Sequence, residues 1–119
     1  MIRKKYCVDG AWLESKTEKW MPVTDSSTGA VIAEVPSCTQ DEVLAAIDAA
    51  DRAFSTWSQM SLSKRTQLLF HWRNVLMEHL EELTLLCARE LGKTLNEARG
   101  DVLKAIEPTE LACATPYLT

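Results

Sequence analysis

Glycine is scarce. The 119 residues hold four, at positions 10, 29, 92 and 100. Glycines so far apart write neither a G-x-G-x-x-G loop nor a Walker phosphate loop. Histidine is scarcer still, with only His71 and His79. Their eight-residue separation would set them about 80° apart around a helix and two turns distant. With no third ligand in register they make no metal site, and they read as helix-surface histidines. Four cysteines stand at positions 7, 38, 87 and 113, none in a C-x-x-C pair, so neither a zinc site nor a dithiol redox motif is written. They read as reduced, partly buried thiols. The longest apolar run is five residues, 43–47, whereas a membrane helix needs about 20. The basic start, Arg3-Lys4-Lys5, is followed by no apolar signal core. No basic stripe with interleaved aromatics appears, which argues against nucleic-acid binding. The expectation is a soluble cytoplasmic protein with neither a nucleic-acid nor a membrane partner.

What is present is ordinary for a globular chain: 46% hydrophobic and 25% charged residues. The charge is uneven. Residues 1–36 carry five basic and five acidic side chains, while the remainder carries eight and twelve, which is the whole of the net −4.

The same division separates two kinds of pattern. Over 1–36 the chain reads as two β-hairpins. Asp9-Gly10 is a hairpin-turn pair between Tyr6-Cys7-Val8 and Ala11-Trp12-Leu13. A second pair, 20–24 and 31–35, is joined by Asp25-Ser26-Ser27-Thr28-Gly29, all residues that tolerate turn geometry. Two such hairpins cannot stand alone in water. Over 37–119 the chain reads as helix. Thr39 and Glu42 spell a capping box, ahead of an apolar stripe at Val43, Ile47, Ala50, Phe54 and Trp57. A second helix is expected from Ser61 or Ser63. A third segment, around Leu83, Leu86, Cys87 and Leu91, either continues it with a bend or stands apart, closed by Gly92 as a left-handed stop. Thr94 and Glu97 repeat the capping box before a last helix, which Pro108 is expected to kink or split. The fold class is α+β, two hairpins and then three to four helices.

Catalytic groups are missing. No cysteine flank suggests a base, and no carboxylate pair is placed for acid–base work. Glu78, Glu81 and Glu82 read as a solvated face. Trp12, Trp20, Trp57 and Trp72 read as core or interface packing, because Trp57 and Trp72 lie on the apolar stripes.

Four stretches in series carry a resemblance. Cys7-Val8-Asp9-Gly10-Ala11-Trp12 resembles the N-terminal hairpin of the NAD(P)-dependent aldehyde dehydrogenases. Residues 27–36 resemble that family's next hairpin, and Ala53-Phe54 with Trp57 its first-helix signature. Glu90-Leu91-Gly92-Lys93 with Glu97-Ala98 and Gly100-Asp101-Val102 is similar to the family's E-x-G-K-x-x-x-E-A-x-G-D/E-V. Within the family, residues 14–20 and 110–114 look most like the acylating methylmalonate-semialdehyde branch. Asp25-Ser26 departs from the family's usual Asn-Pro, and Lys104 stands where branch members commonly have arginine. Lysine keeps the charge without the planar bidentate fork.

The resemblance implies an N-terminal fragment of an α/β aldehyde dehydrogenase, in which a cysteine thiolate attacks the aldehyde, hydride passes to NAD, and the thioester is released to CoA or water. The family's oxyanion Asn, dinucleotide loop, general-base Glu and nucleophilic Cys lie beyond the matched portion. No catalytic or cofactor-binding residue is therefore assigned to this chain, which alone is expected to be inactive. It assigns Lys104 to a substrate carboxylate, and Glu90, with the backbone of Val23 and Thr24, to a structural monovalent cation. It makes the rest of such a chain the partner of both segments, in a homo-oligomeric parent. A non-catalytic helical module binding another subunit is the alternative, and it would require a closed core and a polar last helix.

Overall fold

The computed structural model describes residues 2–118. They form two compact units, one ending at Gln59 and the other beginning at Met60.

In the first unit, β1 (Tyr6–Val8) and β2 (Ala11–Leu13) form an antiparallel hairpin in the register Tyr6 to Leu13. Both turn residues have positive φ, 52° at Asp9 and 73° at Gly10. That pair of left-handed residues matches the right-handed twist of the strands, and Asp and Gly are among the few residues that tolerate it. The second hairpin pairs β3 (Trp20–Thr24) with β4 (Val31–Pro36), with a register shift at Val23/Thr24. Its loop is organised by Asp25, whose Oδ1 accepts the amides of Ser27 (2.9 Å) and Thr28 (3.1 Å). This is the side-chain mimicry that suits Asp to turns. The chain start adds a short parallel pairing to β4 that the sequence pattern does not show. Lys4 N–H donates to the Glu34 carbonyl (2.8 Å) and Glu34 N–H to the Ile2 carbonyl (2.9 Å). The unit ends with α1 (Gln40–Trp57), opened by the Thr39/Glu42 capping box.

In the second unit, α2 (Leu62–Glu78) starts at Ser61, whose hydroxyl accepts the Lys64 amide at 3.3 Å. His79 separates it from α3 (Leu80–Leu91), so the choice left open by the pattern falls to two helices. Gly92, with φ 67°, terminates α3 in the left-handed region. The last helix, α4 (Leu95–Cys113), opens on the Thr94/Glu97 box and leads into a 3-10 turn over Thr115–Tyr117. The expected split at Pro108 does not occur: α4 runs through it. Proline removes one bond, to the Lys104 carbonyl, at a cost of about 3 kcal/mol. Burial of Ile106 before it and Cys113 after it anchors the helix on both sides and offsets that loss.

Packing is uneven. In the second unit Ala98, Ile106 and Cys113 of α4 are buried, at 0%, 3% and 4% exposure, as is Thr84 of α3 at 1%. Thr84 and Thr66 each return their hydroxyl to a carbonyl four residues earlier, Leu80 (2.7 Å) and Leu62 (2.9 Å), which lets them be buried without an unpaired donor. Among the described residues of the first unit only Ala33 and Ala49 are buried apolar residues. The tryptophans read as core or interface packing; within this chain Trp12, Trp57 and Trp72 are exposed and Trp20 alone is partly covered. Trp20 is half-buried, with Nε1 donating to the Thr17 carbonyl (3.1 Å) and the Arg3 guanidinium 4.6 Å above its ring.

Candidate functional site

Two helix faces carry the candidate residues. α4 is tied to its neighbours by ion pairs, Arg99 to Glu81 of α3 (2.6 Å) and Glu110 to Arg73 of α2 (2.8 Å). At its start the Thr94 hydroxyl and then the Thr94 amide hydrogen-bond the Glu97 carboxylate, holding it below the usual carboxylate range. Lys93 is hydrogen-bonded to Asp101, which pushes its ammonium above the ordinary lysine range. These groups are spent on helix ends and helix pairing. None faces another titratable group in a way that would move a proton to or from a substrate.

Lys104 is exposed on α4, and Glu90 is exposed on the last turn of α3. Glu90 borders a groove of about 450 Å³ between α2, α3 and α4, lined by Leu76, Leu83, Leu86, Leu91, Val102 and Ile106. Lys104 lies outside that lining. The structure therefore does not bring the two together in this groove. Val23 and Thr24 belong to the first unit and Glu90 to the second. A second hollow of about 360 Å³ is lined by Phe70, Arg73, Glu110, Cys113, Ala114 and Tyr117. Its guanidinium is occupied by Glu110 through both Nε (3.0 Å) and Nη2 (2.8 Å). Cys113 and Ala114, in the small-residue stretch 112–115, thus pack within this unit beside α2.

The four cysteines are free thiols: Cys113 buried, Cys38 and Cys87 half-buried, Cys7 exposed. Both histidines are exposed, as the pattern expects. His79 Nδ1 lies 2.9 Å from the Glu82 carboxylate and opposite no thiol. Among the described residues no three or more His, Cys, Asp or Glu side chains gather as a metal site. A nucleophile with a base in reach is what covalent catalysis requires, and no such pair is assembled here.

What the surface does carry is apolar area. The α1 stripe is turned outward, with Ile47 58% and Phe54 63% exposed. Phe70, Trp72, Leu85 and Leu86 are exposed on α2 and α3, and Leu95 and Leu111 on α4. A soluble monomer seldom leaves this much large apolar side chain in water. Sequence reasoning identified the α1 apolar stripe, and within this chain it is bare. The long-range role of Glu42, described below, was missed. Its only sequence signal was the capping box itself.

The class is thus an α+β arrangement of hairpins and capped helices with uncovered apolar faces. The chain matches the aldehyde dehydrogenase family over residues 12–117, and it belongs to that family. It is 42% identical over 118 residues to a malonate-semialdehyde dehydrogenase of Listeria monocytogenes serotype 4a (strain HCC23), covering 98% of this chain and 24% of the relative. It is 38% identical over 114 residues to a probable methylmalonate-semialdehyde/malonate-semialdehyde dehydrogenase [acylating], mitochondrial, of Aedes aegypti, covering 96% of this chain and 22% of that one. In fold it is similar to a putative methylmalonate-semialdehyde dehydrogenase from Sinorhizobium meliloti 1021 solved with NAD. There the TM-score is 0.93 at 24% identity, over 99% of this chain and 24% of that one. The chain spans about a quarter of the length of the curated relatives it matches.

Proposed function

We propose that this chain is the N-terminal scaffold of an NAD-dependent aldehyde dehydrogenase that oxidises malonate semialdehyde, its methyl derivative or a similar aldehyde to an acyl-CoA. The observation that carries the reading is the family match over nearly the whole chain, joined to helix faces left bare in a segment a quarter the length of its relatives. The substrate class rests on the names of the relatives, malonate- and methylmalonate-semialdehyde dehydrogenases. NAD rests on a fold neighbour solved with it, and CoA on the acylating relative's name. The glycines of this chain write no dinucleotide loop, so in this reading the cofactor is held by residues outside it.

In the same reading Lys104 supplies one cation toward the substrate carboxylate, a point charge in place of a bidentate fork. Glu90 supplies an oxygen for a structural monovalent cation. Its place on the last turn of α3 suits that role, because helix C-termini present carbonyl oxygens and a negative dipole end. The proposed setting is the cytoplasm, in a homo-oligomer of the longer polypeptide, although the Aedes relative is named as mitochondrial. The helical-module alternative needs a closed core and a polar last helix. It is disfavoured by the exposed α1 stripe and by Leu95 and Leu111.

The test is NADH formation with malonate semialdehyde, with and without CoA. It compares the 119-residue chain with a polypeptide that carries it ahead of the remaining three-quarters of the family's length. The longer polypeptide is expected to form NADH and, with CoA, a thioester. The 119-residue chain is expected to form none. NADH formation by the pure short chain, or none by the longer one with any semialdehyde, overturns the proposal.

A further inference from the structure

We propose that the Glu42 carboxylate is a latch that fixes the irregular segment 14–20 against the start of α1 and makes that segment a rigid element. A capping box asks of its acid only one bond, to the N-cap amide. Glu42 makes that bond, accepting Thr39 N–H at 2.9 Å, and then two more from a segment over 25 residues earlier. Its Oε2 accepts the Ser15 hydroxyl at 2.7 Å, and its Oε1 accepts the Lys16 amide at 2.7 Å. Glu97 occupies the same place in the second box, but its box bonds stay within Thr94–Glu97.

The latch passes its order onward. Because Ser15 donates its proton to Glu42, its oxygen is set to accept the Thr17 amide (3.1 Å). The Thr17 hydroxyl oxygen accepts the Lys19 amide (3.1 Å), and the Thr17 carbonyl receives Trp20 Nε1 (3.1 Å). Residues 14–19 belong to no helix or strand; apart from the Lys19 carbonyl, which accepts the Ser37 amide at 2.9 Å, their backbone groups depend on such side chains or on water. Charge-assisted bonds to a carboxylate are the strongest available for this purpose. One anion thereby organises six residues of loop, and the relay ends at the Trp20 ring that Arg3 covers.

Amide hydrogen exchange on the 119-residue chain tests the latch at Thr17 and Lys19, whose own acceptors survive replacement of Glu42. In Glu42→Ala both amides are expected to exchange about tenfold faster or more, as loss of a bond to a charged group implies. Glu97→Ala is expected to leave them unchanged. Thr39→Ala removes the cap hydroxyl but keeps the carboxylate, and is expected to leave them protected. Glu42→Gln keeps the volume and one carbonyl acceptor, and should give an intermediate rate; it serves if the alanine variant does not fold. Unchanged Thr17 and Lys19 exchange in the Glu42 variants overturns the latch. Equal deprotection in Thr39→Ala would overturn it too, by showing that the helix start alone does the fixing.

Discussion

In the first unit the well-satisfied groups are polar: the Glu42 carboxylate with three donors, the Asp25 loop, the Arg3 guanidinium between Glu34 (3.1 Å) and the Trp20 ring. The second has its own polar ties, Arg73–Glu110, Arg99–Glu81 and the Thr94/Glu97 box, but its interior is apolar or self-satisfied: Ala98, Ile106, Cys113 and the back-bonded threonines. Both units leave large apolar side chains in water. They differ in what remains inside. Hydrogen bonds specify geometry but contribute little net stability each, whereas apolar burial supplies most of the driving force. The first unit is therefore expected to be shaped but weakly held, and the second to hold its own small core. Cover for the bare faces would stabilise both.

The largest effect that would sharpen this contrast lies in the second unit. Ile106→Ala removes most of a buried side chain and is expected to cost about 2–5 kcal/mol, read by denaturant unfolding of the helices followed by circular dichroism. A comparable loss from Phe54→Ala in the first unit would break the contrast. The expected change there is within about 0.5 kcal/mol, as for an exposed position, with lower self-association by sedimentation as the apolar patch shrinks. Smaller is Gly92→Ala, which places a Cβ at φ 67°. It should cost about 1 kcal/mol and leave the hydrogen exchange of residues 14–20 untouched. Thr94→Ala should likewise cost about 1 kcal/mol, the usual worth of an N-cap, with its effect confined to the first turn of α4.

Acid titration sets the two caps against each other. Glu42, held down chiefly by the Lys16 amide and then by the Ser15 hydroxyl, and Glu97, held down by Thr94, both ionise more readily than an ordinary carboxylate. A carboxylate with a lowered folded value stabilises above its unfolded value, and that contribution disappears as pH falls through the folded one. Acidification below the usual carboxylate range is therefore expected to free residues 14–17 together with the start of α1 at Glu42, but only the first turn of α4 at Glu97. Amide resonances followed from neutral pH downward separate the two. At the other end, the raised Lys93 value means that its tie to Asp101 is lost only as pH rises through and beyond the lysine range.

Local chemistry was legible in the sequence. Asp9-Gly10, both Thr-x-x-Glu boxes, Ser61 and Gly92 each announce a backbone requirement met within a few residues, and each stands where the spacing puts it. Long-range events were not. Nothing near Ser15 or Lys16 indicates that Glu42 receives them. Nothing in the stripe Val43, Ile47, Phe54, Trp57 says that its cover is absent from these residues, because periodicity marks an apolar face and not what lies on it. At Pro108, where a kink or a split is expected, the split does not occur for a related reason: its local cost is real, and burial on either side outweighs it. Of the candidate site, Lys104 and Glu90 rested on the family resemblance alone.

The central claim is that the bare faces are interior faces of a longer aldehyde dehydrogenase. Hydroxyl-radical footprinting of Phe54, Trp57, Trp72 and Leu86 tests it directly, comparing the 119-residue chain with the polypeptide that carries it ahead of the remaining family length. These side chains are expected to label heavily in the short chain and to be protected in the long one. Equal labelling in both would contradict the account.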